Sequence, residues 1–361
     1  MKTRAAILEK LNSPLVVDEI EIPPLACGQV LVKIHCSGIC GAQLGEIAGV
    51  KGEDKFLPHL LGHEGGGVVL ETGPGVLHVK QGDHVVLHWR KGAGIQAQPA
   101  KYQWNGRTVN AGWVTTFNEH AVISENRLTP IPKDIGFEVA ALMGCAITTA
   151  LGLINNDARV KIGQSVAVFG CGGVGASVVQ GAAMVSADPI IAIDIHDHKL
   201  DMAREFGATH FINSVKSDLK AEILKIVGTK GVDVAVENTG IIKLIELAYA
   251  ITAPKGRTIL VGVPRFDQDI TIHSLPLHFG KVLTGCEGGH SIPNEDIPRY
   301  LNLYRKKKLR LDDLITHRCE LSGINDALDD IRAGRVGRCM ISMSRYKLER
   351  GLTTDNTDST D

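Results

Sequence analysis

The run Gly170-Cys171-Gly172-Gly173-Val174-Gly175 constrains this chain more than any other stretch because of what flanks it. It follows the apolar segment Val166-Ala167-Val168-Phe169 and opens a helical pattern. The next apolar run, Pro189 to Ile193, closes on Asp194, at about the twenty-residue offset that sets an acid against ribose hydroxyls. In that context the glycines let backbone approach a pyrophosphate at a helix N-terminus, and a dinucleotide-binding unit is expected. Upstream and downstream of one another stand Cys40, the pair His63-Glu64 and Cys145, residue types that bind a metal. A metal electrophile and a dinucleotide on one chain point to hydride transfer.

The 361 residues suffice for two domains of ordinary size. With 39 Lys+Arg against 40 Asp+Glu, no net positive charge exists to concentrate nucleic acid or anionic lipid, so a small-molecule substrate is expected. Lys2 and Arg4 precede only Ala5 to Leu8 before Glu9 and Lys10 intervene, too short for a signal-peptide apolar region. The longest apolar stretch, Val139 to Ile154, contains Thr148 and Thr149 and reads as a buried helix. A cytoplasmic location follows as an expectation. The eight cysteines show no CxxC pairs and are expected to be reduced, each a small buried thiol or a metal ligand. Context promotes Cys40 and Cys145.

The first part of the chain is β-rich, with short runs at Ala5–Leu8, Gln29–Ile34, Gly67–Leu70 and His84–Leu87 between Pro and Gly turns. From Val166 strand and helix alternate, with strands expected at Val166–Phe169, Ile190–Asp194, Thr209–Ile212, Val232–Val236, Thr258–Val261 and Val282–Gly285. That alternation is the signature of a parallel sheet wrapped by helices. Helical spacing returns at Ile297, Tyr300, Leu301, Tyr304 and at Ile324, Leu328, Ile331, before the strand-like run Cys339 to Met343. These segments are expected to complete the first domain. The polar, acidic end of the chain cannot repay its ordering entropy and is expected to be disordered.

The motifs GICGAQ (38–43), GHEGGGVV (62–69), GDHVV (82–86), GCAITTALG (144–152), VDVAVENTG (232–240), GRTILVGVP (256–264) and LITH (314–317), together with the fingerprint, resemble the medium-chain dehydrogenase/reductase superfamily. Specifically, they resemble its zinc-containing alcohol and polyol dehydrogenase branch. The resemblance implies an α/β architecture: a GroES-like β-rich catalytic domain (1–147 and 288–346), a Rossmann doubly wound NAD-binding domain (148–287), and an acidic tail (347–361). It places one catalytic Zn(2+) on Cys40, His63 and Cys145, with Glu64 as a neighbour that enters or leaves the metal's coordination in some members. NAD is the implied cofactor, held by Gly170, Gly172, Gly173, Val174, Gly175 and Asp194, with Thr149 by the nicotinamide, Lys199 by the adenosine ribose and Arg338 by the pyrophosphate. For Lys199 a solvated helix position is the competing reading. Trp89 falls where the family lines its substrate pocket, and ordinary core packing is its alternative. A homodimer or homotetramer is implied.

Two departures from the family stand out. The stretch Arg90 to Gly112 lacks the four cysteines that hold a second, structural zinc in many members. It reads as a solvated loop, or as a wall offering hydrogen bonds to a polar substrate. The family's Cys-Gly-Thr/Ser-Asp is here Cys40-Gly41-Ala42-Gln43, and Gly45 replaces a histidine. The hydroxyl and imidazole of the proton relay are therefore missing, while Gln43 retains the ability to orient His63 without adding charge. The expected activity is zinc-dependent, NAD-linked oxidoreduction of a polar, polyhydroxylated sugar, polyol or cyclitol. A lyase or isomerase using bound NAD transiently, and a non-catalytic nucleotide-binding protein, are the alternatives.

Overall fold

A computed structural model describes residues 1–343. The expected acidic tail and the last residues of the expected catalytic domain lie outside the described residues. The first part of the chain runs β1 (Lys2–Leu8), β2 (Val16–Glu21), β3 (Gln29–Gly38), α1 (Gly41–Ile47), β4 (His59–Leu60), β5 (Glu64–Thr72), β6 (His84–His88), β7 (Lys101–Trp104), β8 (Arg107–Asn110), β9 (His120–Ser124) and β10 (Leu128–Ile131). Strands β1, β2, β7, β8 and β4 close into a small barrel, while β10, β6, β5 and β3 form a second sheet with β9 on β3. Strand β6 and the first half of β5 are buried almost throughout, and Val and Leu residues among them join the core of the second sheet.

The segment expected to be a loop or polar wall is in fact part of that barrel. Tyr102, Trp104 and Val109 point into its core beside Ile7, Ile20 and Leu60. Asn105 and Gly106 take positive φ, 49° and 76°, which is the turn that joins two strands with the right twist. Tyr102 Oη accepts the Val122 N–H at 2.7 Å, and the Trp104 indole donates to Asp18 at 2.8 Å, so both polar ends of these buried rings are satisfied.

A second correction concerns the apolar stretch at 139–154. It is not one helix but two, α2 (Phe137–Met143) and α3 (Ala146–Gly152), bent by 45° and continued by a π-helical turn at Leu153–Ala158. Cys145 sits at the break with φ −149° and ψ −65°. Gly144 makes the break possible: a Cβ there would lie 2.4 Å from the Leu87 carbonyl oxygen and 2.7 Å from Glu64 Cα. The chain thus touches β5 and β6 backbone to backbone, which carries Cys145 to the start of β5. Among the described residues no single helix is long and apolar enough to cross a membrane.

The middle of the chain continues as β11 (Val166–Phe169), α4 (Gly173–Met184), β12 (Ile190–Asp194), α5 (Asp197–Glu205), β13 (His210–Asn213), α6 (Leu219–Val227), β14 (Val232–Glu237), α7 (Ile242–Ile251), β15 (Thr252–Leu260) and β16 (Val282–Gly285). All six strands are parallel in the order β13-β12-β11-β14-β15-β16. The order reverses between β12 and β14, so the crevice at the carboxyl end of β11 is where a nucleotide is expected to bind. The buried Val178, Val179 and Ala182 of α4 face the sheet as the sequence pattern required.

The chain then returns through α8 (Pro293–Arg305), β17 (His317–Glu320), α9 (Ile324–Arg332) and β18 (Cys339–Ser342). Strand β18 pairs antiparallel with β3, Met340 opposite Gly38, and β17 lies parallel to β18. The last described strands therefore extend the sheet to which β3 belongs.

Candidate metal and nucleotide site

Three segments carry the four candidate metal ligands. Cys40 caps α1, His63 and Glu64 enter β5, and Cys145 caps α3 at the α2–α3 break. Ligand atoms of Cys40, His63, Glu64 and Cys145 all lie within 4.8 Å of one another. His63 Nε2 and Glu64 Oε1 are buried and have no hydrogen-bond partner. Buried polar atoms left without a partner cost roughly 1–3 kcal/mol each, and a cation bound through both atoms would remove that cost. Two thiols, an imidazole and a neighbouring carboxylate suit zinc, with three ligands leaving a fourth position open.

The two thiols share charge unequally. The Cys145 hydrogen bond, with His63 and Arg338, pulls Cys40 well below the usual thiol range. Cys40 and burial push Cys145 up, while Thr149 and the Trp89 indole pull it back. Thr149 Oγ1 is 3.9 Å from Cys145 Sγ. Trp89 lies between that sulfur and the turn at Gly288, where a Cβ would come within 2.7 Å of its ring. Arg90 stacks over it at 5.7 Å and pairs with Glu287 at 2.6 Å.

Arg338 joins the metal donors to the fingerprint. Its guanidinium, 4 % exposed, pairs with Glu64 Oε2, and a Cβ at Gly173 would sit 3.0 Å from its Cδ. The residue expected near a pyrophosphate thus also neutralises the carboxylate beside the metal donors. Gly170 turns with φ 84° at the end of β11, Gly172 caps α4, and Gly173, Val174 and Gly175 form its first turn. At Gly175 a Cβ would lie 1.9 Å from the Gly170 carbonyl oxygen, so only glycine fits.

Asp194 ends β12 and pins this loop: its carboxylate accepts the Cys171 N–H at 2.8 Å and the His196 N–H at 3.0 Å. Each oxygen keeps a lone pair for a further donor. Lys199 is half-buried on α5; burial and then Asp194 push the Cys171 thiol up to about 12, and the Lys199 charge opposes them weakly, which places it beside the same loop. Ala42 is exposed on α1, with no hydroxyl there to relay a proton.

Sequence reasoning left two groups without a role. Glu237, fully buried at the end of β14, accepts N–H bonds from Thr239 at 2.7 Å and Gly240 at 3.0 Å, fixing the turn against which Gly170 packs. Its motif was visible as ENTG, whose Asn-Thr-Gly marks a turn, but nothing in the sequence shows that the acid accepts that turn's own N–H groups. Asn156 and Asp157 of the π-helical turn hold the loop at 289–290, through Gly289 O at 2.8 Å and His290 Nδ1 at 2.5 Å. A π turn has no sequence pattern by which it could have been found.

A parallel nucleotide-binding sheet facing a Cys₂His cluster with an adjacent carboxylate defines a metal-dependent oxidoreductase fold and site. Residues 26–133 match the alcohol dehydrogenase GroES-like domain, and 173–306 match the zinc-binding dehydrogenase domain. The S-(hydroxymethyl)glutathione dehydrogenase of Paracoccus denitrificans is 31% identical over 94% of this chain and all of its own length. The alcohol dehydrogenase class-3 of Cereibacter sphaeroides is 30% identical over the same shares. The benzyl alcohol dehydrogenase structure from Acinetobacter calcoaceticus superposes with a TM-score of 0.85 at 27% identity, covering 95% of this chain and all of that one. The chain belongs to the medium-chain dehydrogenase/reductase superfamily, as a zinc alcohol dehydrogenase-type oxidoreductase.

Proposed function

We propose that this chain interconverts an alcohol and a carbonyl compound with NAD(H), using Cys40, His63 and Cys145 to hold zinc. The observation that carries the reading is the Arg338 bridge: one buried guanidinium touches both Glu64 and Gly173, so metal donors and nucleotide loop form one site. A zinc ion held there supplies a Lewis acid that polarises the substrate oxygen. Arg338 offers a cation to the pyrophosphate, and Thr149 and Trp89 wall the space next to Cys145. Asp194 favours NAD, since its charge accepts from ribose hydroxyls and repels a 2′-phosphate.

The substrate is proposed as polar and hydroxyl-bearing. The missing relay at Ala42 and Gly45 supports it, because a neighbouring substrate hydroxyl can carry the proton that Ala42 cannot. The 90–112 segment no longer adds support, since its aromatic residues fill the barrel core. The relatives' names add S-(hydroxymethyl)glutathione and benzyl alcohol to the compounds to be tried. Oligomerisation is proposed through β16, the edge strand of the nucleotide-binding sheet, beside the exposed Leu275, Leu277 and Phe279.

The deciding experiment screens polyols, sugars, cyclitols and those two compounds with NAD and NADP. A dehydrogenase accumulates NADH in step with product. Product without net NADH favours a lyase or isomerase, and neither signal favours a binding protein. Equal catalytic efficiency with NADP overturns the role given to Asp194, and Asp194→Ser is expected to narrow the preference for NAD.

A further inference from the structure

Gln43 stands where the family has an acid, and it is fully buried between two metal-donor segments. As the third residue of α1 it closes a capping box: its Oε1 accepts the backbone N–H of Cys40 at 3.0 Å. Its Nε2 then faces His63 Nδ1 at 2.6 Å. A carboxamide nitrogen only donates, so His63 Nδ1 presents its lone pair and the ring hydrogen sits on Nε2. That hydrogen occupies the ring nitrogen that faces the other metal donors without a partner.

Metal binding through Nε2 requires the lone pair there and moves the hydrogen to Nδ1. Two donors, His63 Nδ1–H and Cys40 N–H, then face Gln43, which has a single acceptor atom. Turning the amide satisfies His63 and abandons Cys40; leaving it in place does the reverse. This holds whichever way the amide is drawn: the oxygen has two lone pairs, but the two donors face different ends of the amide and only one end can be the oxygen. A carboxylate of the same length has an acceptor for each.

We propose that Gln43 is a positioning residue that weakens zinc retention, making this a readily exchanging metal site. The inference rests on the metal reading given above. Loss of such an outer hydrogen bond typically costs about 10- to 100-fold in metal affinity.

The test is zinc release from the loaded full chain into excess chelator, followed by a colorimetric indicator. Gln43→Glu is expected to slow release by about 10- to 100-fold. Release as fast as, or faster than, that of the unmodified chain overturns the proposal. A second measurement needs no variant: in the unmodified chain, zinc loading should move the His63 ring hydrogen from Nε2 to Nδ1 and speed exchange of either that hydrogen or the Cys40 amide, as read by ¹⁵N NMR. Protection of both hydrogens in the loaded protein also overturns it. A chain that takes up no zinc in either form removes the metal reading instead, so the two failures are distinguishable.

Discussion

Arg338 holds Glu64 with a charge, and Gln43 faces the neighbouring His63 with a neutral amide. Removing a thiolate beside them is expected to abolish zinc binding and turnover while leaving NAD affinity within a fewfold, because the hard oxygen in Cys145→Ser is a poorer zinc ligand and lies outside the fingerprint. Elemental analysis and NAD titration check this; retained zinc near one per chain would refute the assignment of Cys145. A second residue sets an acid limit. His88 is buried with Nδ1 donating to Arg90 O at 2.8 Å and Nε2 accepting from Thr129 at 2.9 Å, the pattern of a neutral ring. Burial holds its pKa down to about 4. Since the folded value lies below the usual one near 6.5, its contribution is full above about pH 6.5 and is lost as pH falls towards 4, on the order of 3 kcal/mol. Urea unfolding between pH 7 and 4 should show this loss, and His88→Gln should flatten it.

At the scale of elements, the junction of α2 and α3 decides where Cys145 points. Gly144→Ala places a methyl against the Leu87 carbonyl and Glu64 Cα, neither of which is a flexible side-chain end. The expected cost is about 1–3 kcal/mol, with zinc content falling in parallel. A melting curve and metal analysis read both, and an unchanged pair of values would mean that the backbone contact does not position Cys145. This junction was invisible in the sequence, because one straight helix and two bent ones share the same apolar spacing over 139–154. The strands at 166–169, 190–194 and 282–285 were legible to the residue, since turn residues and β-branched runs mark both ends. Motif and spacing also brought forward Cys40, His63, Glu64 and Cys145, whose ligand atoms the structure brings within 4.8 Å of one another. The β7–β8 hairpin was legible too but misread: Lys101-Tyr102-Gln103-Trp104 alternates with period two and Asn105-Gly106 is a hairpin turn, yet the segment's many polar residues suggested a loop. What no pattern disclosed is partnership across the chain, such as Arg338 with Glu64.

For the whole molecule, β16 leaves the nucleotide-binding sheet with an open edge, flanked by exposed Leu275, Leu277 and Phe279. Phe279→Asp should shift a dimer or tetramer towards smaller species by light scattering, with zinc content unchanged. An unmodified chain that is monomeric at assay concentration would remove the edge-pairing proposal.

Strand β18 also carries a consequence in time. Glu64 and Arg338 are separated by 274 residues, yet the carboxylate is fully buried against that one guanidinium. On a ribosome adding about 5–20 residues per second, Glu64 waits on the order of tens of seconds for its partner to be synthesised. The nucleotide-binding strands all emerge during that interval, so the nascent chain can shape its cofactor crevice well before the neighbouring charge is neutralised. The contact that ties Glu64 to the fingerprint loop is therefore among the last that a newly made molecule can form.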